Sequence, residues 1–161
     1  MSDVEMFKTE IIGLDFFEKK MKTLQETFGD LKPLFRRLSR SILNTIDKNF
    51  DTEGVASGEK WDDLSEDYKR KKILEYGLDK KILERSGDLR KSFTREITDN
   101  TLTVGTAKEY AAIHNFGMDE RNMPQREFMP KPWQIEQLGY DVITYYLEQQ
   151  AKGLIWPKIL S

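Results

Sequence analysis

The stretch "SFTREITDNTLTVGT" (residues 92–106) decides the fold. Its two halves alternate polar and apolar side chains around Asp99-Asn100. Alternation with a period of two is a strand signal, and two such runs joined by two turn formers make a β-hairpin. Phe93 and Ile97 then share a face with Leu102 and Val104, or lie near them. The chain continues as "AKEYAAIHNFG" (residues 107–117). Thr106 and Glu109 have the T-x-x-E spacing of a capping box. That predicts a helix of about ten residues over 107–116, stopped by Gly117 in a left-handed C-cap. A hairpin running directly into a helix is the grammar of an α+β chain.

Working outward, "DLKPLFRRLSRSILNTIDKNF" (residues 30–50) places Leu34 or Phe35, Leu38, Ile42, Ile46 and Phe50 on one helical face. Arg36, Arg37, Arg40 and Lys48 occupy the other, so the helix is amphipathic. Pro33 suits a first turn. Upstream, Leu14, Phe17, Met21, Leu24 and Phe28 repeat at helical spacing before Gly29, and Phe7, Thr9 and Ile11 alternate as a first strand. "DTEGVASGEK" (residues 51–60) lacks periodicity and reads as a mobile loop. Trp61, Leu64 and Tyr68 follow at helical spacing, with Ser65 as N-cap, Glu66 and Asp67 in the first turn, Lys69–Lys72 closing the helix and Gly77 ending it.

In "ILERSGDLRKSF" (residues 82–93), Ser86 is placed to cap a single turn holding Leu89. Residues 118–132 form a proline-punctuated segment with a short strand expected around 126–129. A last helix begins at Pro132 and buries Ile135, Leu138, Val142 and Tyr146. The tail "GLIWPKILS" (residues 153–161) is apolar and needs a surface to pack on. The expected order is β, α, α, α, β, β, α, α. That is an α+β fold: a small antiparallel sheet packed against two long helices, with short helices and a long C-terminal helix. Residues 1–152 are expected to form one domain, and 153–161 a separate tail.

The 161 residues are 34% charged and 38% hydrophobic, with a net charge of −2, so no global charge draws the chain to nucleic acid or anionic lipid. There is no cysteine, which removes disulfides, thiol catalysis and cysteine-held zinc or iron–sulfur centres. No apolar run reaches membrane-spanning length, and the first ten residues lack the basic start and apolar core of a secretory leader.

His114 is the only histidine. In the last turn of its helix a protonated imidazole is favoured by the helix dipole, so it needs no catalytic reason. A catalytic histidine needs a nucleophile or titratable partner, and no G-x-S-x-G, H-E-x-x-H or phosphate-cradling glycine loop is present. No cofactor or metal is expected. The run Lys69–Lys72, with Arg85, Arg90 and Lys91, offers a nucleic-acid-binding alternative. Glu66, Asp67, Glu75 and Asp79 beside the run favour a solvated helix face instead. Arg126 and Phe128 lie between Pro124 and Pro130 in a stiffened, extended stretch. They read either as one side of a subunit contact, together with Trp156 of the tail, or as an ordinary buried ion pair.

Several stretches together resemble one family. "GEKW" with Leu64, "ILERSGDLRKSF", "VGT" (104–106), "YAAIHNFG" (110–117) and "MPQREFM" (123–129) occur in the order seen in the phage virion morphogenesis family, the tail-completion proteins of contractile-tailed phages. The resemblance runs from about residue 5 to 150. It implies a small α+β structural protein of the virion without enzymatic activity. Such a protein is made in the host cytoplasm and acts at the head–tail junction or tail end, through a self-assembled ring and contacts with neck or tail proteins. Trp61, Leu64, Gly87, Leu89, Arg90, Tyr110, Ala112, His114 and Gly117 would be structural signatures. Pro124, Arg126, Phe128 and Trp156 are the expected interface residues. The resemblance assigns no role to the loop 51–60 or to the tail.

Overall fold

The computed structural model describes residues 29–77 and 80–152, with residues 19, 22 and 26 before them. The strand expected at Phe7–Ile11, most of the helix at 14–28 and the tail with Trp156 lie outside the described residues. The described helices are α1 (Lys32–Thr52), α2 (Glu66–Tyr76), α3 (Asp88–Lys91), α4 (Tyr110–Phe116) and α5 (Pro132–Ala151). Two strands, β1 (Thr94–Ile97) and β2 (Leu102–Gly105), pair as the hairpin. The fold is α+β, as the periodicities predict.

The chain divides into two compact units. One gathers Leu43–Arg95 and Val104–Pro130. The other gathers the described residues through 42, Glu96–Thr103 and the residues from 131 on.

α1 follows its sequence stripe. Leu34, Phe35, Leu38, Ile42, Ile46 and Phe50 are all buried, while Arg36, Arg37, Arg40 and Lys48 are exposed. In the second unit the core residues include Leu31, Leu34, Phe35, Leu38 and Ile42 of α1 and its lead-in, and Ile135 and Val142 of α5. Leu138 and Tyr146, expected in the same stripe, are half-buried. The guanidinium of Arg37 lies 3.6 Å from the ring centroid of Tyr145, a close cation–π contact. The hairpin turn is closed by Thr98 N–H donating to Thr101 O at 3.0 Å, and Asp99 in that turn pairs with Lys32 at 2.6 Å.

In the first unit four aromatic rings form the centre. Phe50 packs edge-on against Trp61 (5.7 Å) and Phe93 (6.3 Å) and stacks on Phe128 (5.4 Å), which also meets Phe93 edge-on at 5.5 Å. These are the offset and T-shaped geometries that aromatic quadrupoles favour.

Three local expectations give way to longer-range contacts. The segment 51–60 is built: it contains a 3₁₀ turn at Val55–Ser57, and Gly54 and Ser57 are buried. α4 is shorter than the capping box predicts. Glu109 has helical dihedrals of −53° and −38° and makes no side-chain cap. Thr106 Oγ1 instead meets Ser92 Oγ at 2.5 Å and accepts from Lys108 N at 3.2 Å. Around residues 126–129 the chain is neither helix nor strand; the nearby ladder is a single bridge between Met118 and Met123.

Candidate functional site

The segment Arg126–Met129 is held on several sides within the first unit. Asn49, one residue before Phe50 in α1, is fully buried and donates through Nδ2 to Phe128 O at 3.0 Å. Its Oδ1 accepts from Ser57 Oγ at 2.8 Å, which is why the loop after α1 is tied down. Asn115 of α4 approaches the same segment: its Oδ1 accepts from Phe128 N at 3.1 Å and Met129 N at 3.0 Å. Trp61 Nε1 donates to Glu127 O at 3.0 Å, and Arg126 N donates to His114 O at 2.8 Å. A buried chain outside helix and sheet must find partners for its main-chain groups, and here side chains supply them.

Arg126 is 6% exposed, and its fork turns inward. Nε and Nη2 donate to Asp62 O at 3.1 and 3.0 Å, and Nη2 lies 3.4 Å from Asp63 O. Its partners are main-chain carbonyls of the turn that leads into α2. Burial lowers the guanidinium's pKa, opposed by the charges of Asp62 and Asp63. Phe128 is 1% exposed. Both large side chains of this segment face the interior of their own chain, and Pro124 is half-buried.

His114 sits in the last turn of α4, with its ring 6.1 Å from that of Tyr110 in an edge-on contact. Its Nδ1 is buried and has no hydrogen-bond partner among the described residues. Burial, and then the positive charge of Arg126, lower its pKa. The sequence favours a protonated imidazole at a helix C-terminus; the environment reverses that preference. A surface helix dipole is worth about 0.3–1 kcal/mol, and a seven-residue helix cannot outweigh desolvation beside a cation.

Two glycines are sterically required. Gly117 has φ +76°, and a Cβ there would sit 2.9 Å from Gln125 N and 3.1 Å from Met123 O. Its ψ of 172° turns the exit away from the left-handed helical well that a simple C-cap uses. Gly54 (φ +90°) faces Trp61 so closely that a Cβ would come within 2.4 Å of Cδ1 and of Glu59 O.

Arg90 forms a second cluster. It pairs with Asp47 (2.6 Å), Asp51 (2.9 Å) and Glu84 (3.0 Å), and its pKa is raised, first by Asp47 and then by Asp51. Leu89 beside it is buried, and Gly87 (φ +80°) caps α3. Lys81 also reaches Asp51, whose carboxyl is held below its ordinary range by Arg90 first and then Lys81.

The basic run lies in the middle of α2, which continues to Tyr76 because Gly77 N–H closes it on Ile73 O. Ser65 caps it as predicted, accepting from Tyr68 N at 3.3 Å. Lys69 pairs with Asp63 and Glu66. Lys72 is buried, donates to Lys81 O and has its pKa lowered by burial. Arg85 lies against the ring of Tyr76 and donates to its hydroxyl. Leu64 is half-buried, Tyr68 is 46% exposed, Tyr110 is 42% exposed, and Ala112 is half-buried while Ala111 is the buried alanine.

The structure therefore brings Trp61, His114, Gly117, Arg126 and Phe128 together, and keeps Arg90 in its own ion-pair cluster. Asn49, Gly54, Ser57 and Asn115 are the residues to which the sequence assigns no role by itself, and Phe93, read as a strand residue, joins the aromatic centre. A polar Asn49 on an otherwise apolar helical face was the signal for the first of them. No group of three or more metal-ligating side chains gathers among the described residues, and no described helix is long and apolar enough to cross a membrane.

This is an α+β chain in which the buried Asn49 and Asn115 secure a strap of main chain at Phe128. It belongs to the phage virion morphogenesis family, whose profile matches residues 14–148. It is similar to the Mu-like prophage FluMu G protein 1 of Haemophilus influenzae, with 33% identity over 114 residues, covering 70% of this chain and 75% of that protein. No solved structure matches it. It is thus a protein of phage virion morphogenesis.

Proposed function

We propose that the chain is a non-catalytic structural protein that completes the tail or joins head to tail, acting as a self-assembled ring. The observation that carries this reading is where the family-like stretches meet. "GEKW", "YAAIHNFG" and "MPQREFM" converge on one internal scaffold of aromatic rings and buried amides. Family-like stretches that meet in packing and main-chain hydrogen bonds support a building block rather than a reaction centre. His114 is half-buried, with its pKa lowered by burial and then by Arg126, which suits a packing residue. The protein would be made in the host cytoplasm and end at the head–tail junction or tail end of the virion, in contact with neck or tail proteins.

A nucleic-acid role is not favoured. Lys69, Lys72, Arg85 and Arg90, four of the residues it would use, are already engaged within the chain.

Deleting the gene from an inducible phage tests the proposal. Electron microscopy of the lysate should show heads and tails that remain unjoined, or tails of abnormal ending, and supplying the protein should restore particles. Intact infectious particles without it would overturn the reading.

A further inference from the structure

Two exposed helix faces carry opposite chemistry. On α2, Leu74 is 85% exposed and Ile73 is 42% exposed. Arg70 and Lys71, also exposed, stand one turn before Leu74 and so share its face, with the exposed Asp67 a further turn back, which leaves the positive charge in excess beside Leu74. On α5, Trp133 is 60% and Leu147 is 45% exposed. They are separated by close to four whole turns at 3.6 residues per turn, so they lie on one side. Asp141 and Glu148, both exposed, flank that side. α5 contains no Lys or Arg along its whole length.

We propose that the α2 face of one copy docks on the α5 face of the next copy, as the repeating contact of the assembly. The proposal rests on the ring reading given above and deepens it by naming the surfaces. Charge decides the pairing. α5 against α5 would oppose carboxylates, and α2 against α2 would oppose Arg70 and Lys71, whereas α2 against α5 matches cation to anion and apolar to apolar. A guanidinium also suits the face of an indole, and Trp133 offers one. Because the two faces differ, the contact is heterologous, the kind that propagates from copy to copy and closes a ring when the rotation allows. Exposed apolar side chains interleaved with charge keep the single contact weak, so that a closed ring, in which every copy makes it twice, is favoured over free pairs.

The absence of native cysteine makes the test direct. Leu74→Cys and Leu147→Cys proteins are purified separately, mixed in equal amounts with a mild oxidant, and resolved as disulfide-linked dimers by mass. Random collision gives the mixed dimer over each like dimer at about two to one; a contact selected by charge should raise that to about tenfold or more. Adding Arg70→Glu and Lys71→Glu to the Leu74→Cys protein should return the ratio to the random value. Adding Asp141→Lys and Glu148→Lys to its partner should then restore it. All of these positions are exposed, and circular dichroism confirms that each variant is folded. A random ratio while light scattering still shows a large wild-type assembly overturns this contact and leaves the ring reading standing. A wild-type monomer at the highest attainable concentration, with random cross-links, overturns both.

Discussion

Arg126 binds the main-chain carbonyl of Asp62 twice, through Nε at 3.1 Å and Nη2 at 3.0 Å. A buried cation here holds a turn in place without any carboxylate. The two residues are far apart in sequence, so the contact fixes how the chain enters α2 relative to the strap. Replacing Arg126 by Met leaves the Asp62 carbonyl without either donor and removes a planar fork that lysine cannot reproduce. Arg126→Met should cost about 2–4 kcal/mol, and Arg126→Lys should recover less than half of it. Urea unfolding of the three proteins measures this; a change below about 0.5 kcal/mol for Arg126→Met would show the pair to be incidental.

Asn49 and Asn115 grip the same residue from its two polar ends, one at Phe128 O and the other at Phe128 N. Each single change to Leu strands a buried main-chain group, with an expected cost of about 2–3 kcal/mol. Once either asparagine is gone the strap can move, and the second loss then costs less. The double variant should be less destabilised than the sum, by about 0.5–2 kcal/mol. Strict additivity in a double-mutant cycle would mean that the two amides act independently.

Gly117 opposes a side chain twice over: φ +76° with ψ 172° is a glycine-only conformation, and the space for a Cβ is filled. Gly29 and Gly117 have nearly the same positive φ, +73° and +76°, yet a Cβ at Gly29 meets no described residue within 4 Å while one at Gly117 meets Gln125 N at 2.9 Å. Gly29→Ala should therefore cost about 1 kcal/mol, the backbone penalty alone. Gly117→Ala should cost about 2–4 kcal/mol, because its conformation excludes a side chain and the neighbour is main chain that cannot swing away. Thermal unfolding of the two variants side by side checks it, and equal shifts would remove both grounds.

What was legible in the sequence, and what was not, follows from the range of the forces involved. The α1 stripe and the hairpin could be read because burial repeats along the chain with the period of the element itself, as Leu38, Ile42, Ile46 and Phe50 show. The capping box at Thr106 failed because Ser92, brought alongside by the hairpin, competes for the same hydroxyl. The segment 51–60 looked mobile because its order depends on Ser57 reaching Asn49 and on Gly54 fitting against Trp61. Arg126 and Phe128 were visible as special, but the direction they face was not. Their partners come from Asp62 and Asn49, and no local pattern encodes contacts at separations of 64 and 79 residues.

His114 supplies a pH signature that follows from the direction of its shift. Burial, and then Arg126, lower its folded-state pKa below the ordinary value of 6.5. Above that value the imidazole is neutral in both states and costs nothing. As the pH falls below 6.5, the unfolded chain takes up a proton that the folded one resists, so stability is lost until the folded pKa is reached. The slope has a ceiling of about 1.4 kcal/mol per pH unit, reduced by solvent screening because the residue is only half-buried. The carboxylates held by cations, Asp51, Asp63 and Asp99, have depressed pKa values and lose their contribution only as the pH falls below about 3.8 and through those lowered values. The two windows are separate. Melting temperature should therefore begin to fall just below pH 6.5 in the natural chain. His114→Gln should flatten that part of the profile and leave the strongly acidic part intact. A profile that falls equally in both proteins between pH 6.5 and 5 would mean that the imidazole is not the group resisting the proton.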